Sequence, residues 1–183
     1  AFAGIGKADE SFEESDSKLR IWGATGGATD KMQNTNGPDV TVSRNILSRV
    51  GIALDTASRT VTLYDNLGSM GTVDISSWYN PGDTIALFGG GDTQAGMTIH
   101  DSSEYLYAPS TVFFAQGGGT PPSYIPPTGA GNGDGVWNTS TLTGGTVTSS
   151  NVLSASGFNG VWATETVTAS SGVFYWEMSS TGQ

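Results

Sequence analysis

The sequence predicts an all-β fold, an antiparallel β-sandwich of two sheets, and three observations predict it. Apolar and polar residues alternate with period two in several short runs, the signature of strands with one buried face. The composition holds 27 Gly and only 7 Lys plus Arg, with abundant Thr and Ser, which suits short strands and many turns better than long helices. The strand-like runs follow one another closely, separated by polar or glycine-rich breaks, as in sandwiches.

In chain order, Phe2–Gly6 is a short apolar piece before an acidic stretch that runs through Ser17. Leu19, Ile21 and Trp22 follow. Positions 23–39 then read as a Gly/Asn-rich loop too polar for a core, and Val40–Val42 as a brief strand. "RVGIALDTASRTVTLYDN" is the clearest unit. Val50, Ile52 and Leu54 alternate with Gly51, Ala53 and Asp55, and Val61 and Leu63 alternate with Thr60, Thr62 and Tyr64. Two such runs around a short polar break predict a β-hairpin. Further strands are expected near Thr72–Ile75, Ile85–Phe88 and Met97–His100, the last two separated by "GGGDTQA".

Residues 117–135, "GGGTPPSYIPPTGAGNGDG", carry four Pro among many Gly. They read as a linker or long extended crossing, stiffened locally by Pro-Pro pairs. Strands resume beyond it. Val173–Met178 is large on both faces, with Val173, Tyr175 and Glu177 on one and Phe174, Trp176 and Met178 on the other. Such a strand belongs at the centre of a covered sheet. Three segments result: 1–116, the linker 117–135, and 136–183.

The formal net charge is −10, which disfavours nucleic-acid phosphates and anionic lipid because both repel it. No Cys is present, so disulfides, zinc thiolates and thiol nucleophiles are excluded. No run of apolar residues is long enough for a membrane-spanning helix. The motifs that hint at chemistry are weak. His100, the only histidine, has Asp101 beside it but no nucleophile context, and reads as a strand-end residue. "GGGDTQAG" at Gly89–Gly96 lacks the Gly-Lys-Ser/Thr end of a phosphate loop. "GNGDG" at Gly131–Gly135 offers Asn132 and Asp134 but too few oxygens for calcium. Glu10, Glu13, Glu14 and Asp16 form an acidic run of the kind that is usually solvated. Asn138-Thr139-Ser140 fits a glycosylation acceptor, a pattern common by chance. Trp22, Trp78 and Tyr79 stand in Gly/polar loops. They are the candidate ligand-binding residues, since exposed aromatics stack on sugars or anchor partners; otherwise they cap the sandwich ends. No catalytic, cofactor or metal residues are assigned.

"SSGVFYWEMSSTG" resembles the "GKxYWEV" strand of SPRY (B30.2-type) domains, and "AFAGIGKADESF" resembles the element that follows it there. "VGIALDTASRTVTLYDNLGSMGTV" is similar to the family's later "IGVALDxxxGTVTFYxNGxSxGTA" hairpin. "TVFFAQGGGTPPSYIPPTG" resembles the ending seen where such domains are joined in phage tail fibres. The order is permuted: residues 1 to about 128 resemble the later two-thirds of one domain, and 134–183 the first third of the next. Leu67 departs from the family's preferred Asn-Gly turn, and "KADESFEESDSKL" is unusually acidic for its position.

The resemblance implies a SPRY-like, concanavalin-like two-sheet sandwich, incomplete or permuted within this chain. It implies a non-enzymatic structural or binding module of a phage virion appendage, located in the virion. Expected partners are other virion proteins, copies of itself as a homo-oligomer, and a host-surface glycan or protein, with no cofactor, nucleic acid or membrane insertion. The alternative is a secreted bacterial adhesin or carbohydrate-binding repeat; a glycan depolymerase ranks last, because no two carboxylates stand in a recognisable arrangement. Residue 1 is not Met and the chain stops inside a strand, so the ends are expected to fall inside a domain of a longer protein. Val173–Met178 is expected to pair with Phe2–Gly6. That pairing forms by fold-back in one chain or, the preferred expectation, with a neighbouring copy or the rest of a longer parent.

Overall fold

The structure is a computed structural model. It describes residues 2–8, 10, 18–22, 31–42, 49–65, 67–91, 96–100, 106, 124–125, 136–148, 152–154, 159–168, 170 and 172–181. The strands are β1 (Phe2–Lys7), β2 (Lys18–Trp22), β3 (Lys31–Asn34), β4 (Val40–Thr41), β5 (Arg49–Asp55), β6 (Thr60–Asp65), β7 (Gly68–Asp74) and β8 (Ile85–Gly91). They continue with β9 (Gly96–Ile99), β10 (Tyr124–Ile125), β11 (Thr146–Thr148), β12 (Val152–Ser154), β13 (Asn159–Val167) and β14 (Val173–Thr181). A single 3₁₀ turn, Thr139–Thr141, is the only helical element among the described residues.

Two sheets pack as a sandwich. Sheet A has six strands in the order β13-β8-β1-β2-β3-β4. Sheet B runs β11-β12-β9-β14-β5-β6-β7, and β10 lies parallel to β14 beside Val173 and Phe174. The inner faces follow from the alternation. Ile5, Leu19, Ile21, Met32, Ile85 and Leu87 of sheet A meet Ile52, Leu54, Leu63, Phe174, Trp176 and Met178 of sheet B in one buried core. Each such side chain stabilises the fold by roughly 1.5–3 kcal/mol relative to exposure.

The predicted hairpin forms as β5–β6, with Asp55 opposite Thr60. Its polar break is fixed by Asp55, whose Oδ1 accepts from the backbone N–H of Ala57 and Ser58 at 3.0 and 3.2 Å. Arg59 takes a left-handed φ of 56° to return the chain.

Three expectations change. Positions 31–34 form a strand rather than loop, because Met32, fully buried, anchors it to the core. Tyr124–Ile125, inside the proline-rich stretch, joins sheet B; the rest of 117–135 lies outside the described residues. The expected pairing of Val173–Met178 with Phe2–Gly6 is not made. β14 is flanked by β5 on one side and by β9 and β10 on the other, while β1 lies in the other sheet between β8 and β2. Both edges of β14 therefore find partners within this chain. Strands from 136–183 and from 1–116 share both sheets: β13 extends sheet A at the edge through β8, and in sheet B β14 is inserted between β9 and β5.

Candidate functional site

The outer face of sheet B carries a charge where an outward face usually carries solvated polar residues. β14 and β5 pair with Tyr175 opposite Ala53, Glu177 opposite Gly51 and Ser179 opposite Arg49. Cross-strand partners share a face. Since Phe174, Trp176 and Met178 fill the core, Tyr175, Glu177 and Ser179 point outward with Arg49, Gly51 and Ala53. The backbone N–H of His100 donates to the Glu177 carbonyl at 2.9 Å, continuing the β9–β14 ladder. Tyr64 stands opposite Gly51 on the other side. A transverse row of His100, Glu177, Gly51 and Tyr64 results, flanked by Ser179 and Arg49 on one side and Tyr175 on the other.

Glu177 is fully buried there, and Tyr175 with it. Arg49 Nε donates to Glu177 Oε2 at 2.6 Å, and the Tyr175 hydroxyl donates to Oε1 at 3.0 Å. Both carboxylate oxygens are thereby engaged, as a buried charge requires. Gly51 permits this: a Cβ at that position would overlap the Tyr175 hydroxyl, so only glycine lets the phenol lie across β5. The Tyr64 and Tyr175 rings sit 6.4 Å apart at 59°. Burial pushes the Tyr64 phenol above its ordinary value. His100 Nε2 and Ser179 Oγ lie 2.9 Å apart at the rim.

That last pair brings together a hydroxyl and a base, which the sequence did not. Hydrolysis by serine also needs two N–H donors aimed at the developing oxyanion. Ser179 lies mid-ladder, opposite Thr98 on β9 and Arg49 on β5, so its backbone is committed to the sheet rather than turned toward a substrate. Among the described residues, no three His, Asp or Glu side chains gather as metal ligands would.

The aromatic candidates lie elsewhere. Trp78 and Tyr79 are 5% and 0% exposed, core residues rather than rings open to a ligand. Trp78 Nε1 donates to Asn34 Oδ1 at 2.7 Å, and Asn34 Nδ2 donates to the Asp74 carbonyl at 2.8 Å. Trp78 thus ties β3 to the segment after β7 and caps one end of the sandwich. Burial raises the Tyr79 phenol, with the Asp83 charge as a second cause. The backbone of Trp22 pairs with Phe2 and Lys31 in sheet A; its side chain lies outside the described residues, as do residues 131–135 and all of the acidic run except Glu10. Asn138 caps the 3₁₀ turn, its Oδ1 accepting from the Ser140 N–H at 3.1 Å and hydroxyl at 2.6 Å. A second aromatic pair, Phe88 and Trp162, lies on the outer face of sheet A with centroids 5.3 Å apart. Phe88 lies over Gly4, where a Cβ would come within 2.6 Å of its ring.

Comparison with family models, curated proteins and solved structures gives no significant match.

Proposed function

We propose that this chain is a non-enzymatic structural and binding module of the SPRY kind, working in a phage virion appendage such as a tail fibre. There it contacts other virion proteins, copies of itself and a host-surface glycan or protein. One observation carries the proposal. The two stretches that resemble SPRY domains, "VGIALDTASRTVTLYDN" and "GVFYWEM", are adjacent strands of one sheet, in register from Val173 opposite Asp55 to Ser179 opposite Arg49. Sequence stretches far apart in the chain meet as a pair at the centre of a sandwich. The outer face of that pair supports binding rather than chemistry: the Glu177 oxygens are already bonded, and the half-buried Tyr64, His100 and Ser179 form its rim.

The test has two arms. Antibody raised against the chain is expected to decorate the appendages of particles from its source. The purified chain is expected to bind host cells without releasing oligosaccharide. Particles that carry no label would remove the virion assignment. Sugar release that disappears on mutating one carboxylate would replace the binding role with an enzymatic one.

A further inference from the structure

The chain contains Asn-Gly pairs at Asn36-Gly37, Asn132-Gly133 and Asn159-Gly160. In such a pair the glycine nitrogen reaches the preceding side-chain amide with least hindrance, because glycine has no Cβ and its backbone turns freely. The fold treats these pairs differently. Asn132-Gly133 lies outside the described residues. Gly160 is buried in β13, opposite Gly90 of β8. Its N–H donates to Thr143 Oγ1 at 2.9 Å, and its carbonyl accepts from the Thr143 N–H at 3.1 Å. The Gly160 nitrogen is thus fixed in a ladder.

Asn36-Gly37 stands instead in the turn between β3 and β4, with Asn36 exposed to water. The Gly37 N–H returns to the Asn34 carbonyl at 3.2 Å, and Asn36, third residue of that turn, takes a left-handed φ of 56°. A turn of this kind demands positive φ at its third position, which Asn tolerates better than most residues. The long bond to Asn34 is what holds the Gly37 nitrogen among the described residues. Next to it lies the end cap of the sandwich: Asn34 accepts from Trp78 Nε1 and donates to the Asp74 carbonyl.

We propose that the turn at Asn36-Gly37 is a self-modification site, where the chain converts its own amide to an acid and disturbs the Trp78 cap. The Gly37 backbone nitrogen bonds to Asn36 Cγ, and the side-chain nitrogen leaves as ammonia, taking up the proton that Gly37 gives up. Water then opens the cyclic imide at one of its two carbonyls. Opening on one side leaves an aspartyl residue; opening on the other leaves an isoaspartyl link, with the chain running through Cγ. Either product adds a negative charge to a chain that already carries −10. The isoaspartyl link also adds a backbone carbon between positions 36 and 37. The turn has no slack for it, since even a Cβ on Gly37 would overlap the Asn34 side-chain amide. The reaction needs only water, whatever ligand or particle the outer face of sheet B serves.

The test incubates the folded chain at neutral and mildly alkaline pH. Trypsin then frees Met32–Arg44, which separates position 36 from the other Asn-Gly pairs. Tandem mass spectrometry and enzymatic methylation of isoaspartate are expected to show progressive loss of the amide at position 36, faster at the higher pH. Asn36→Gly keeps a residue suited to positive φ and is expected to abolish the reaction in that peptide. In the modified fraction the indole N–H resonance of Trp78, assigned through Trp78→Phe, is expected to shift. A Met32–Arg44 peptide that keeps its amide in the folded chain overturns the proposal; loss in the urea-unfolded chain alone would show that the fold protects the turn. Acid that still accumulates in Asn36→Gly also overturns it, by placing the reaction at Asn34. A modified chain whose Trp78 resonance is unmoved overturns the link to the cap. Should Asn36→Gly misfold, the tandem mass spectra of the unsubstituted chain locate the acid by themselves.

Discussion

The centre and the flank of sheet B face outward together, yet they hold polar groups in opposite ways. At the centre, Glu177 is fully buried and held by Arg49 and Tyr175. Two strands away, Thr62 and Thr72 share a hydrogen bond at the exposed surface. The flank obeys the simple rule of apolar inside and polar in water. At the centre, a charge removed from water must be matched by partners, and one strand must give up its side chain to admit a phenol. The difference teaches that, among the described residues, a buried charge is accommodated where β14 enters between β9 and β5.

The largest effect is expected from Glu177→Ala. It leaves the largely buried Arg49 guanidinium without its carboxylate and should cost about 3–5 kcal/mol, read as a fall in the denaturation midpoint. A loss under ~1 kcal/mol would mean that the centre is as solvated as the flank. Gly51→Ala is expected to cost about 1–3 kcal/mol, because the Tyr175 ring must move off β5. A neutral Gly51→Ala would show that the Tyr175 phenol does not lie across β5.

Alkaline pH separates the two regions by another route. Burial raises the Tyr64 phenol above the ordinary 10.0, so above that pH the unfolded chain releases a proton that the folded chain still holds. The stabilising contribution is present at neutral pH and is lost as pH rises from the ordinary tyrosine value through the raised one. Tyr64→Phe should flatten part of that decline in stability-versus-pH curves; an unchanged slope would place Tyr64 in water. The smallest effect belongs to the flank itself. Thr62→Val removes one exposed hydroxyl pair and is expected to change stability by under ~1 kcal/mol, measured by the same denaturation.

Much of this was legible in the residues. The β5–β6 hairpin announces itself because Val50, Ile52, Leu54, Val61 and Leu63 alternate cleanly, and "FYWEM" declares a central strand by being large on both faces. β3 was hidden because Met32 is its one buried apolar side chain and the strand sits in a polar stretch. The neighbours of β14 were hidden for a different reason. Periodicity fixes which face a residue takes but carries no information about which strand lies alongside. Glu177 shares a face with Val173 and Tyr175 by alternation, but the sequence does not show its ion pair, because its partner Arg49 lies 128 positions away. The polar neighbours of Trp78 in sequence leave open whether it meets a ligand or caps the sandwich end. Its indole is satisfied by Asn34, 44 positions away, a distance over which no local pattern speaks.

The central claim is that the strand at Val173–Thr181 lies inside sheet B, with partners from this chain on both of its sides. Native-state hydrogen exchange on the isolated chain at low concentration tests it most directly. The backbone amides of β14 and β5 should exchange together and slowest, at the limit set by global unfolding, with protection falling outward toward β7 and β11. Amides of β14 that exchange as fast as those of β11, or well before those of β5, would contradict the account.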